Sequence, residues 1–506
     1  MFQECQYRSR PDLAPPKLSI TIPSNRDKAA PGYLFVTPCA LFDPAPNSGP
    51  EQPGAHIFRD DGDLVWSSLG YLGGWTANFQ ATRYKDRPVL QAFQGCLARK
   101  HAHAYGTPVL LDQSYQPVTM VQSLNKLISF HEFRIVNEKT ALVQIQQPIL
   151  ADLTVYGGSK DQKWIVDDIF QEVDIETGET LFEGHPLKFA DPSDSLVPLN
   201  LPYGTAPNQP WDFFHTNSVD KDPHGNYLVS GRHISTIYKL SGTDGSLLWR
   251  LSTANSSTSS FQPLNNLTFS YQHHARFRSC ATSPDGAEIE AISFFDNAAR
   301  SDKQTHGHPP EGTQMSSGKV VQLNHKQKTA ELMAKYEAPD GGLSVGSQGN
   351  MQFLPNGNKF INWGVEGAVT EFDNDGRVLF HAFLDVADQR VQSYRGFKYE
   401  WEGRPREKIA VLAMRESRDG QDSMEVYVSW NGDTVTKVWK FFAEDEGKFQ
   451  KIGSVERMSF ETRLEVTGDK MTLFRGRDTR VFAVAMDRKG VEIGRSDAVE
   501  ALRLDE

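Results

Sequence analysis

The chain has 506 residues, with 53 basic against 64 acidic side chains and a formal net charge of -11. No Lys/Arg block stands out, so nucleic acid is not an expected partner. No run approaches the roughly 18 to 20 apolar residues of a membrane span, so no membrane association is expected either. With 38% hydrophobic residues and a mean hydropathy of -0.49, the sequence reads as a soluble globular protein, long enough for one repeat-built domain or two to four ordinary ones.

From the N-terminus, M-F-Q-E-C-Q-Y-R-S-R-P lacks the apolar core of a signal peptide. Cys5, Cys39, Cys96 and Cys280 form no C-x-x-C pair and neither require nor exclude disulfides. The sequons at Asn255 and Asn266 fit glycosylation on a secretory route, so a secreted location is the expectation. P-P-K-L-S-I-T-I-P reads as an extended strand within residues 1–29 that packs on the body of the protein or on its tail.

From residue 30 onward, short β-rich runs alternate with Gly, Asp, Asn and Pro, and helical periodicity is scarce. A unit recurs: D-P-H-G-N-Y-L-V-S (222–230), S-T-I-Y-K-L-S (235–241) and T-D-G-S-L-L-W-R-L (243–251), then L-P-N-G-N-K-F-I-N-W-G (354–364) and A-V-T-E-F-D-N-D-G-R-V-L-F (368–380). Asp-Gly turns followed by hydrophobic strands are hairpin chemistry. Such repetition predicts an all-β, six-bladed β-propeller over residues 30–395. After residue 396 the strands R-E-K-I-A-V-L-A-M-R, M-E-V-Y-V-S-W-N-G-D and T-K-V-W-K-F-F predict a smaller sandwich-like appendage.

Histidines fall near the first strand of several repeats: His131 in F-H-E-F, His215 in F-F-H-T-N-S-V-D, His233 beside Arg232 in S-G-R-H-I-S-T, and His273 and His274 in Y-Q-H-H-A-R-F. In a propeller the inner strands line a central channel, so these side chains converge with Asn217 into a cationic, donor-rich site. Arg offers a planar fork to a sulfate or phosphate ester, and His offers a donor, a nucleophile or a proton carrier. On regular strands neighbours face opposite ways. Only one of Arg232 and His233 is then expected in the channel, and His274 is expected in blade or interblade packing. His224, His306 and His308 sit in turn-like surroundings and are expected in solvent. The H-A-H of 101–103 is a weak pair of metal ligands.

The series F-H-E-F, D-F-F-H-T-N-S-V-D-K-D, G-N-Y-L-V-S-G-R-H-I-S-T-I-Y-K and Y-Q-H-H-A-R-F-R-S resembles the arylsulfate sulfotransferase family, in its fungal branch. W-I-V-D-D-I-F-Q-E-V-D, S-Q-G-N-M-Q-F-L-P-N-G-N, S-Y-R-G-F-K-Y-E-W and V-Y-V-S-W-N-G extend the likeness to about residue 440. The resemblance implies a propeller that moves a sulfuryl group between phenols without a nucleotide donor, cofactor or metal. It implies His273 as the sulfated nucleophile, with His131, His215 and Arg232 as further catalytic groups and Asn217 and His233 on the substrate. Two departures stand out: Q-H-H-A where many fungal relatives have Q-H-D-A, and Glu183-Gly184 where Glu-Trp is usual. The alternative is a cyclase or pericyclase of a natural-product pathway working in the same cavity on an aromatic small molecule. A third reading is a scaffold that only binds partners, which has no need of convergent His and Arg.

Overall fold

The computed structural model describes residues 6–40, 49–98, 103–299, 315–385, 391–418, 421–445, 447–468, 471 and 479–503. Strands dominate, and helix is confined to short 3-10 turns, as the all-β expectation requires. The Asp-Gly hairpin physics is visible at residues 222–226. Asp222 Oδ1 accepts from the backbone N–H groups of His224 (2.9 Å) and Asn226 (2.8 Å), while Gly225 takes a φ of 91°. A side chain is strained at that φ, so this sequence fixes a tight turn between two antiparallel strands. His224 is exposed, as expected.

Among the described residues such hairpins assemble into six antiparallel four-stranded units, and those that begin at Trp75 and at Ile128 are merged into one sheet where Ile128 and Ser129 pair with Gly106 and Tyr105. Their first strands are β1 (Trp75–Tyr84), β2 (Ile128–Val136), β3 (Thr216–Lys221), β4 (His273–Thr282), β5 (Asn350–Phe353) and β6 (Gly396–Tyr399). Each touches the next, and β6 touches β1, so the units follow one another around a common axis in the manner of a propeller. No single sheet runs round the ring.

β6 completes a unit whose other strands, Tyr33–Val36, His56–Phe58 and Leu64–Ser67, come from the start of the chain. Late and early segments are thereby hydrogen-bonded into one sheet. This corrects the expected division after residue 395, because Gly396–Tyr399 pairs with Tyr33–Val36 and not with the tail. Ser19–Ile22 adds to the strand Val378–Phe383 at the edge of another unit.

The tail forms two sheets. Ala410–Arg418, Gln421–Ser429 and Glu461–Thr467 build one, and Val438–Asp445, Lys448–Glu456 and Arg480–Met486 the other. They share a core that includes Val426, Trp439, Phe441 and Ala483. The W-N-G loop docks this tail on the ring. The Asn431 amide bonds both backbone groups of Ser67 (2.8 and 3.0 Å), Gly432 N–H donates to Val65 O (2.8 Å), and Tyr115 Oη donates to Gly432 O (2.6 Å). Gly432 has a φ of 92°, and a Cβ there would collide with the Tyr115 and Trp66 rings. Gly432→Ala should therefore cost about 2 to 4 kcal/mol by strain and overpacking. Urea unfolding checks this; an unchanged midpoint would contradict the docking.

Candidate active site

The entrances to the inner strands are built from unusual backbone. Asn78, His215, Tyr271, His274 and Gln348 have φ values of 51°, 56°, 55°, 54° and 68°. Left-handed conformations at such residues cost on the order of 1 to 3 kcal/mol each and persist only where the surroundings over-determine them. Pairing also shifts register between Ser129 and Phe133, between Thr216 and Ser218, and between His273 and Arg276. Bulges of this kind re-aim side chains.

His131, His215, Asn217, Arg232, His233 and His273 are all buried. The imidazoles of His131 and His215 lie 4.6 Å apart between centroids, and those of His215 and His233 4.5 Å. Tyr394 lies 5.8 Å from His131 and 6.5 Å from His273, while Arg232 sits over the Tyr271 ring at 4.9 Å. The five cationic candidates are thus linked through shared aromatic neighbours.

One expectation changes. Arg232 and His233 lie in the turn after Tyr227–Gly231, not on a regular strand, so they do not alternate. Arg232 Nη1 donates to His233 Nε2 (2.6 Å), and His233 Nδ1 donates to the Asp212 carbonyl (2.7 Å). With both ring nitrogens hydrogen-bonded, His233 orients Arg232. Asn217 donates from Nδ2 to Gln272 O (2.6 Å) and its backbone carbonyl accepts from Arg395 Nη2 (2.9 Å), while its buried Oδ1 has no hydrogen-bond partner among the described residues. His274 is buried between units, beside Phe397 of another sheet. The bulge and left-handed φ turn it toward a second cavity, where its ring lies 6.0 Å from Phe397.

Asn266 is exposed, whereas Asn255 is half-buried and its Nδ2 donates to Asp194 Oδ1 (2.9 Å). A Cβ at Gly184 would collide with the Phe170 ring. His101, the side chain of His103, His306 and His308 lie outside the described residues.

The tautomer of His273 is fixed. Asn297 Nδ2 donates to Val345 O and Gln348 O (3.0 Å each), which leaves its Oδ1 to face His273 Nδ1 at 2.6 Å. Nδ1 must carry the proton, so the lone pair resides on Nε2, which accepts from Gln348 N–H at 3.2 Å. Burial, then the charge of Arg232, lowers the His273 pKa to about 3, so the ring is neutral at working pH. Arg232 has no carboxylate at ion-pair distance among the described residues, and burial lowers its pKa. His215 Nδ1 lies 2.5 Å from Asp212 Oδ2. Asp168 Oδ2 accepts from His215 N–H (2.7 Å), and burial followed by the neighbouring Asp212 raises its pKa well above the carboxylate range.

Beneath the histidines, Glu132 accepts from Arg395 Nη1 and from Arg276 Nη2, both at 2.8 Å. Arg395 Nη2 also donates to the carbonyls of His131 and Asn217 (2.9 Å each). Burial pushes Glu132 up, but Arg276 and Arg395 outweigh it and hold its pKa at about 2.

Sequence reasoning singled out neither Asp168, Asp212, Asn297, Gln348, Tyr394 nor Arg395 as site residues. W-I-V-D-D-I, D-F-F-H, S-Q-G-N and S-Y-R-G carried five of them inside the quoted likenesses; Asn297 had no such signal. Among the described residues, Asp212, His215 and His233 are the one group whose ligand atoms converge within 4.8 Å as a metal would need. Asp212 already holds both imidazoles by hydrogen bonds.

Imidazoles, a buried guanidinium and paired carboxyl groups form a polar centre set inside a ring of four-stranded units of the propeller class. The chain belongs to the arylsulfotransferase (ASST) family, whose model matches residues 80–384. No curated protein matches it significantly. Among solved structures, it is similar to a protein of unknown function from Bacteroides caccae, with 14% identity, 73% of this chain and 99% of that one covered, and a TM-score of 0.37. It is also similar to a catalytically inactive virginiamycin B lyase from Staphylococcus aureus, with 8% identity, 74% and 84% coverage and a TM-score of 0.30.

Removing the charge of Glu132 strands two buried guanidinium groups, so Glu132→Gln should cost about 3 to 5 kcal/mol at pH 7. Because the folded pKa of about 2 lies below the ordinary 4.5, this stabilisation is complete above about pH 4.5. It fades as pH falls toward 2, so the stability gap between the two proteins should narrow over that window in denaturant titrations.

Proposed function

We propose that the protein transfers a sulfuryl group from an aryl sulfate to a second phenol through a sulfated His273, without a nucleotide sulfate donor. The observation that carries this reading is the locked neutral imidazole, with Nδ1–H on Asn297 and its Nε2 lone pair available. Nε2 attacks sulfur, the sulfur–aryl oxygen bond breaks, and the electron pair leaves on the aryl oxygen. His215, backed by Asp212, supplies a proton to that oxygen, and His131 stands beside it as a second imidazole. Arg232, held by His233, takes the charge on the sulfuryl oxygens. The acceptor phenol then gives its proton back to His215 as its oxygen attacks sulfur, the nitrogen–sulfur bond breaks with its electron pair returning to Nε2, and neutral His273 and protonated His215 are restored. The weak Gln348 N–H bond to Nε2 is exchanged for the bond to sulfur. A cyclisation finds no support in a site made of imidazole, guanidinium and carboxyl groups.

Incubation with p-nitrophenyl sulfate should add about 80 Da to the intact protein, the mass of a sulfuryl group on a nucleophile. The adduct should map to His273 and be absent from His273→Asn. An unmodified protein that still releases phenol would sink the sulfo-histidine. Because His273 titrates near pH 3, the rate of sulfation should show no acid limb from this residue between pH 5 and 8. Asn297→Ala frees the tautomer and should slow sulfation about 10- to 100-fold, by analogy with the loss of an orienting partner, with the fold kept as judged by circular dichroism.

A further inference from the structure

A second cavity opens at the other end of the inner strands, with a volume of about 500 Å³. Its wall includes Arg83 from β1, Arg134 from β2, His274, Arg276 and Arg278 from β4, and the aromatic rings of Phe353, Phe397 and Tyr399. None of the catalytic candidates lines it, and the Glu132–Arg276–Arg395 cluster stands between it and the histidines.

Its charge is unbalanced. Arg83 is answered by Glu138, Arg134 by Asp220, and Arg276 together with Arg395 by Glu132. Arg278 donates from Nε to Ser293 Oγ (2.6 Å) and lies 4.2 Å from the centre of the Phe353 ring, but no carboxylate pairs with it among the described residues. Four lining guanidinium groups thus meet Glu138, Asp220 and a Glu132 that is shared with Arg395 outside the cavity, so the wall is short of negative charge. Buried His274 Nδ1 and Arg276 Nε have no hydrogen-bond partner. Burial, with Arg276 and Arg134 opposing Asp220, pulls the Arg278 pKa down to about 10, so it stays charged at neutral pH and gains from an incoming anion. Unsatisfied cationic donors beside aromatic faces are the complement of an anionic group on a planar ring.

We propose that this cavity is a second binding site, distinct from the histidine centre, for an organic anion of the aryl sulfate, aryl sulfonate or aryl carboxylate class. Arg278 and Arg134 grip the anionic group, and Phe353 and Phe397 flank the ring. The proposal does not depend on the sulfo-histidine.

Naphthalene-2-sulfonate tests it, because its carbon–sulfur bond makes it a ligand that cannot serve as a sulfuryl donor. Calorimetric titration of the full chain should show a binding event that weakens with added salt. Arg278→Gln and Arg134→Gln should each weaken it about tenfold or more, as expected for a lost charged hydrogen bond. Arg232→Gln should leave it in place, and inorganic sulfate should compete more weakly than the aryl sulfonate. Arg134 is 41% exposed, so its variant decides the matter even if Arg278→Gln fails to fold. No binding, or binding lost in Arg232→Gln and kept in Arg134→Gln, would overturn the second site. Equal affinity for sulfate and the sulfonate would overturn the assignment to an aryl ligand.

Discussion

The centre of the ring depends on one buried carboxylate shared by two guanidinium groups. Glu132 on β2 binds Arg276 on β4 and Arg395 just before β6, and it accepts the backbone N–H of Val219 on β3 at 3.0 Å. Four of the six inner segments are therefore tied at one point. Burying three charges is costly, and such a cluster persists only when every partner is in place. Arg395 passes this order upward, since the carbonyls it holds belong to His131 and Asn217. The histidine centre is thus assembled on a charged floor, not on apolar packing.

That floor accounts for the strained backbone above it. A regular strand would alternate its side chains across the sheet, and a channel site could use only every second residue. Left-handed His215, Tyr271, His274 and Gln348, with the bulges in β2, β3 and β4, release that restriction. Adjacent His273 and His274 then both reach the axis, at different depths. The hydrogen bonds that His215 N–H donates to Asp168 and that His273 Nδ1–H donates to Asn297 hold these conformations in place.

Much of the architecture was legible in the sequence, because hairpins are written locally: D-P-H-G dictates its own turn through Asp222 and Gly225. His131, His215 and His273 lie in or beside the first strands of their units, near which the sequence had placed them. The roles of Arg232, His233 and His274 relative to their neighbours were not legible, because bulges and turns are tertiary solutions that alternation cannot foresee. Asn297 follows the strand Glu288–Asp296, on the unit next to Gln348, and its bond to His273 spans 24 residues. Nothing local in F-F-D-N announces that pairing. The boundary after residue 395 failed for the same reason, since the partner of Gly396–Tyr399 lies at the opposite end of the chain.

The arginines of the axis separate structure from function by their partners. Arg276 and Arg395 share Glu132, and Glu132 keeps its charge because of them, so the three neutralise much of each other's field and serve as frame. Arg232 above this layer and Arg278 below it have no such carboxylate among the described residues. A buried guanidinium left without a counter-charge is expensive. It is retained where an anion arrives to complete it. The neutral state of His273 sharpens this on the upper side: the imidazole brings a lone pair and no charge, so in the proposed transfer Arg232 supplies the attraction for a sulfuryl group and His273 the new bond. On the lower side His274 is also held neutral, chiefly by burial, but no anchored amide fixes its tautomer. A cationic pocket with an unlocked imidazole can bind an anion; the centre with the locked one can also react with it.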